Sequence, residues 1–165
     1  MMAADPVDVI LTQWHRERPD LDVSPMAVIG RMTRLAKHLE RAIQETFSEF
    51  GLNVGEFDVL ATLRRSGRPY QLSPTVLFNT LMVTSGTMTH RIDQLEQDGL
   101  VERIPDPRDR RGTLIALTDK GFEHIEKAVE AHVANEHKIL STLKKSEREA
   151  LTHLLRKLLL SFEEV

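Results

Sequence analysis

The sequence predicts a mainly α fold (α+β) built as a winged helix-turn-helix with long helices at both ends. Three observations point there. Two short helix signals, opened by Ser73-Pro74 and by Thr84, stand about three residues apart, the spacing of a helix-turn-helix. Directly after them, Leu100 to Ile104 and Thr113 to Leu117 are rich in β-branched and apolar residues and flank a charged loop, the pattern of a hairpin. Apolar residues at three- and four-residue steps run through the segments on either side.

Ser24-Pro25 marks the start of a long helix, with a cap oxygen ahead of a proline whose missing N–H does no harm at the first helical position. Met32, Leu35, Leu39, Ile43, Phe47 and Phe50 form its apolar stripe and set its end near Phe50. Asn53 with Glu56 three residues on is a capping box, and Leu52 with Phe57 fits a hydrophobic staple. That helix ends near Gly67, and the one opened by Ser73 ends near Leu81. Thr84 opens a helix whose buried stripe is Met88, Ile92 and Leu95 and whose stop is Gly99. In the hairpin, Pro105, Pro107 and Gly112 turn the chain, while five charged residues between Asp106 and Arg111 keep the tip in solvent. Thr118 caps a second long helix with Phe122, Ile125, Val129, His132 and Ile139 at helical spacing. Ser146 with Glu149 forms the capping box of a last helix carrying Leu151, Leu154, Leu155, Leu158, Leu159 and Phe162.

The 165 residues suit one core, and 41% hydrophobic with 28% charged residues is ordinary for a globular chain. No apolar run approaches the roughly 18 residues of a membrane span, and the start, with Asp5 and Asp8, lacks the basic-then-apolar pattern of a leader. A cytoplasmic protein is expected. The absence of cysteine excludes disulfides, thiolate metal sites and thiol redox sensing. The net charge of −3 opposes non-specific attraction to nucleic acid, so a DNA-binding face must be local.

On the helix after Thr84, Gly86, Thr87, His90, Asp93 and Gln97 fall opposite the buried stripe at about 100° per residue. Ser85, Gly86, Thr87, Thr89 and His90 are the small or hydrogen-bonding side chains that a helix entering a major groove needs at its N-terminus. The same face fits an exposed helix with no partner. The hairpin favours DNA, because Arg108, Arg110 and Arg111 cluster on a projecting loop and arginine suits phosphates and a narrow minor groove. Asp106 and Asp109 partly cancel that charge, as in a solvated turn, or else fix the arginine rotamers.

The run Asp106-Pro107-Arg108-Asp109-Arg110-Arg111, followed by Leu117-Thr118-Asp119-Lys120-Gly121, resembles the wing of MarR-type regulators. The run from Ser85 through Arg91-Ile92-Asp93-Gln94-Leu95-Glu96 to Gly99-Leu100-Val101 resembles their recognition helix. The resemblance covers nearly the whole chain. It implies a homodimer whose helical dimerisation region is formed by the N- and C-terminal helices. Residues 1–52 would supply an extra helix and a dimerisation helix, 53–118 the winged helix-turn-helix, and 119–165 the C-terminal dimerisation helices. It further implies that Arg108 enters the minor groove braced by Asp106, that the helix from Thr84 occupies the major groove, and that a double-stranded, pseudo-palindromic operator is bound.

The segment Gln13-Trp14-His15-Arg16-Glu17-Arg18-Pro19-Asp20-Leu21-Asp22 is similar to the urate-responsive, PecS- and HucR-like branch of that family. In that branch four residues tied to ligand response fall on Trp14, Asp58, Arg65 and Arg91. The chemistry is consistent with a planar anion: the indole of Trp14 can stack, and Asp58 and Arg65, seven apart, share a helix face. Arg91 would couple the site to DNA. Read without the resemblance, Trp14 fits a packing anchor and Asp58 with Arg65 a surface pair.

No metal or cofactor is expected. His132 and His137 are five apart, a poor spacing for one helix face, though protonation of either at a helix interface would make a dimer pH-sensitive. No nucleophile, base and orienting residue stand at a convincing spacing, so an enzyme is not expected. The remaining alternatives are a regulator answering another phenolic or carboxylate ligand and a helical adaptor that binds protein.

Overall fold

The computed structural model describes residues 4–109 and 111–163. The chain divides into two compact units, Met1–Glu45 and Thr46–Val165. Among the described residues no helix is long and apolar enough to cross a membrane.

The first unit holds α1 (Pro6–Glu17) and most of α2 (Ser24–Ser48). Asp5 caps α1 by accepting from the N–H groups of Val7 and Asp8, and Asp8 returns the bond to the Asp5 N–H. Arg31 of α2 ties down the same turn, donating to Asp5 at 2.7 Å and Asp8 at 2.5 Å. Gly30 lets α1 come close, since a Cβ there would stand 3.3 Å from Val7 Cγ1. Ser24 is the first helical residue rather than the cap oxygen, because Asp22 lies two residues upstream and accepts its N–H at 2.9 Å. Of the apolar stripe of α2 within this unit, Met32, Leu39 and Ile43 are half-buried and Leu35 is 52% exposed, while Val28 and Ile29 near the start of the helix are exposed as well.

The second unit begins inside α2 and contains α3 (Val54–Arg65), β1 (Gln71–Leu72), α4 (Pro74–Thr80), α5 (Ser85–Gln97), β2 (Val101–Pro105), β3 (Thr113–Leu117), α6 (Asp119–Ile139), a 3₁₀ turn Leu140–Thr142 and α7 (Lys145–Glu163). This is a winged helix-turn-helix. Asn53, Ser73, Thr84 and Thr118 each cap the helix they were expected to open, Asn53 and Glu56 as a reciprocal box. Gly99, at φ +70°, ends α5, and the Leu100 N–H closes on the Leu95 carbonyl. Leu100 therefore belongs to the helix stop, and the strand starts at Val101.

The sheet has the order β1-β3-β2, all antiparallel. β1 is too short to announce itself by periodicity. It exists because Gln71 and Leu72 pair with Ala116 and Ile115 from far along the chain. Leu60, Leu63, Leu77, Met88, Ile92, Leu95, Ile115 and Ile125 form the buried core, which joins α3, α4, α5, β3 and α6. At its edge Phe47 stacks on Phe57 with ring centroids 3.9 Å apart, and His132 of α6 sits 5.0 and 5.2 Å from the two rings.

Helix α7 starts one residue before Ser146. The Lys144 N–H donates to Glu147 at 2.7 Å, so the capping bond forms two residues ahead of the Ser146–Glu149 box. The apolar row of α7 stays open, with Leu154, Leu159 and Phe162 62%, 56% and 75% exposed.

Candidate functional site

Two groups of candidate residues lie in the second unit. The first is the exposed edge formed by the start of α5 and the tip of the β2–β3 hairpin. Ser85, Gly86, Thr87, Thr89 and His90 are all exposed there, while Met88, Ile92 and Leu95 bind α5 to the core. Two of the hydroxyls are already engaged within the helix. Thr87 Oγ1 lies 2.9 Å from Thr84 Oγ1, and Thr89 Oγ1 donates to the Ser85 carbonyl at 2.9 Å. Ser85 and His90 are left as the exposed polar side chains at this turn with no such tie among the described residues.

At the hairpin tip, Asp106 accepts the Arg108 N–H at 2.8 Å and Asp109 accepts the Arg111 N–H at 2.9 Å. The two acids thus fix the backbone of the loop at Arg108 and Arg111. Arg108 and Arg111 remain exposed, and Arg110 lies outside the described residues. Gly112 closes the loop, donating to the Asp109 carbonyl at 2.8 Å and accepting from the Asp106 N–H at 3.0 Å. One further arginine ties wing to helix. Arg103 on β2 donates to Asp93 at 2.5 Å and pairs with Glu96, both on α5. Its signal in the sequence is a cation at a strand position facing a helix with acids three apart.

The second group centres on Asp58, half-buried on α3. Burial pushes its carboxyl above the usual carboxylate range, against the pull of Arg91, Arg65 and His132. The structure therefore brings Asp58, Arg65 and Arg91 within electrostatic reach and adds His132, which the sequence offered as a histidine whose protonation at a helix interface would make a dimer pH-sensitive. His132 is mostly buried, its Nε2 is 3.3 Å from Glu136, and its Nδ1 has no hydrogen-bond partner among the described residues. His137, five residues on, is exposed. Arg91 does not point the way of His90. Its guanidinium lies against Gly55 of α3, where an added Cβ would stand 2.4 Å from Cζ. Trp14 belongs to the other unit, on α1, and is 41% exposed.

Residues 52–113, which include Asp58, Arg65, Arg91 and the hairpin tip but neither Trp14 nor His132, match the MarR family model. The chain is 48% identical over 149 residues to the HTH-type transcriptional regulator PecS of Dickeya dadantii (strain 3937), covering 90% of each chain. The chain belongs to the MarR family. It is a DNA-binding transcriptional regulator of that family and not an enzyme. Solved MarR-family structures share the architecture. A MarR mutant from E. coli complexed with operator DNA is 27% identical and superposes with a TM-score of 0.70, over 84% of this chain and 96% of that one. A MarR family transcriptional regulator from Streptomyces coelicolor, also 27% identical, gives 0.73 over 86% and 97%.

Proposed function

We propose that this MarR-family regulator is a homodimeric, cytoplasmic repressor that leaves a pseudo-palindromic operator when urate or a related purine binds. The observation that carries the effector reading is the grouping of Asp58, Arg65 and Arg91, because Arg91 stands on the same helix as the candidate base-reading residues. A planar anion would satisfy the arginines and repel the Asp58 carboxylate. Trp14, which belongs to the other unit, enters this reading only through the family resemblance, as an indole on which a planar ring could stack. Such a ligand shifts the regulator only if it binds the arrangement that cannot hold DNA more tightly.

On this reading Ser85, Thr87, Thr89 and His90 serve the major groove, whereas Arg91, expected to contact DNA as well, has its guanidinium against Gly55 and serves the effector group. Asp106, Arg108, Arg110 and Arg111 serve the wing. Residues 53–118 read DNA, and residues 1–52 with 119–165 hold the dimer. Exposed apolar side chains on α2 (Val28, Ile29 and Leu35) and the open row of α7 support the dimer, since a monomer seldom leaves so much apolar surface in water. Two copies then meet half-sites roughly one helical turn, about 34–36 Å, apart.

The deciding experiment is a gel shift with the DNA upstream of the chain's own gene, titrated with urate and with a panel of phenolic and carboxylate compounds. Salt-sensitive specific binding that urate releases is the expected result. Release by a panel compound and not by urate changes the effector, and absence of any specific binding defeats the reading.

A further inference from the structure

Gly55 occupies the second position of α3 in an ordinary helical conformation, with none of the positive φ that calls for glycine at Gly51, Gly67 and Gly99. Glycine is a poor helix former, so its presence there needs a reason other than backbone geometry. Space supplies one. A Cβ at residue 55 would stand 2.4 Å from both Cζ and Nε of Arg91 and 2.7 Å from Nη2. The guanidinium of Arg91 fills the place where any other residue would carry its side chain.

We propose that Gly55 is a positioning residue: its missing side chain is the seat that holds Arg91 of α5 against α3, one turn from Asp58, and so lets the effector group act on the DNA-reading helix. The inference rests on the reading of Asp58, Arg65 and Arg91 as that group. A cation at the positive end of a helix is disfavoured, so the seat has to be compensated. Asp58 does this, and among the cations around it Arg91 acts on it most strongly. The atoms in the way of a Cβ are the far end of a flexible side chain, not backbone. Gly55→Ala therefore displaces Arg91 and leaves the fold in place.

The test is a double-mutant cycle on the full chain with Gly55→Ala, Arg91→Ala and both. Titration of the Asp58 carboxyl by NMR reads the position of Arg91 without any ligand. In each single variant it should rise by about half a pH unit or more, and the double variant should rise no further than either. In parallel, Gly55→Ala should melt within a few degrees of the parent yet need at least about tenfold more urate for half-release from the upstream DNA. An Asp58 titration in Gly55→Ala equal to the parent's, or equal urate release, overturns the proposal. If the titrations move as stated but urate does not release the parent, the effector reading falls while the seat stands.

Discussion

Arg103 on the wing strand donates to Asp93 on α5 at 2.5 Å, and its second amino group pairs with Glu96 one turn on. A single guanidinium fork therefore spans two acids on α5 and fixes the angle between helix and wing. The Arg103 backbone N–H also donates to Glu96 at 3.2 Å, which adds a register constraint.

Replacing Arg103 with Ala should cost about 1 kcal/mol, since the pair is partly solvated. The loss is expected in thermal melts as a drop of several degrees. Operator affinity should fall further than stability alone explains, because both reading elements lose their common brace. Arg103→Lys, which lacks the fork, should recover only part of it.

Gly121 stands where a Cβ would come within 1.9 Å of the Leu100 carbonyl oxygen. That oxygen already accepts the Thr118 N–H at 3.2 Å, so neither backbone segment can move aside. Gly121→Ala should destabilise by about 3 kcal/mol or more, read as a lowered urea midpoint. A normal midpoint would show that the junction of α5, β2 and α6 yields more than its bonding implies.

Asp58 carries a pH signature whose sign follows from its burial. Its carboxyl titrates above the ordinary range, so the folded chain holds that proton more tightly than the unfolded one. The resulting stability is present below the unfolded value, about 3.9, and is lost as pH rises through the folded value. At neutral pH the ionised group is a burden that the nearby cations only partly offset. Asp58→Asn should therefore melt higher than the parent at pH 7, with the advantage shrinking toward about pH 4. An equal difference at both pH values would refute this assignment.

Arg108 at the wing tip should contribute charge rather than sequence reading. Arg108→Ala is expected to weaken binding to every DNA fragment and to reduce the salt slope by about 2 per dimer, one contact from each copy. His90→Ala should instead change preference at one base position in each half-site, by about 1–3 kcal/mol. Binding measured against salt concentration and against a set of base-substituted operators separates the two.

Local rules carried much of this fold into the sequence. Caps at Asn53, Ser73, Thr84 and Thr118 depend on side chains within three residues of the helix they start, so their signals are local. The stop at Gly99 and the pairing of β2 with β3 are local too, as is the exposure of Ser85, His90 and Arg108. The family pattern added Trp14, Asp58, Arg65 and Arg91 as a set, of which the last three lie within electrostatic reach of one another in the second unit. Two caps were misjudged because a carboxylate nearby, Asp22 in one case and Glu147 in the other, won the backbone N–H.

What the chain alone could not decide are relationships between segments distant in sequence. The two-residue strand β1 exists only through Ala116 and Ile115, and Arg103 acquires its role only beside Asp93 and Glu96. His132 lies beside the stacked rings of Phe47 and Phe57 because α6 packs there, 85 residues after the first ring and 75 after the second. Arg91 turns toward Gly55 because packing sets α5 beside the room that this glycine leaves, a meeting that spacing along the chain does not announce. Composition and periodicity fix which face of a helix is buried, whereas tertiary packing alone sets which groups meet, because that depends on distances between elements and not on spacing along one.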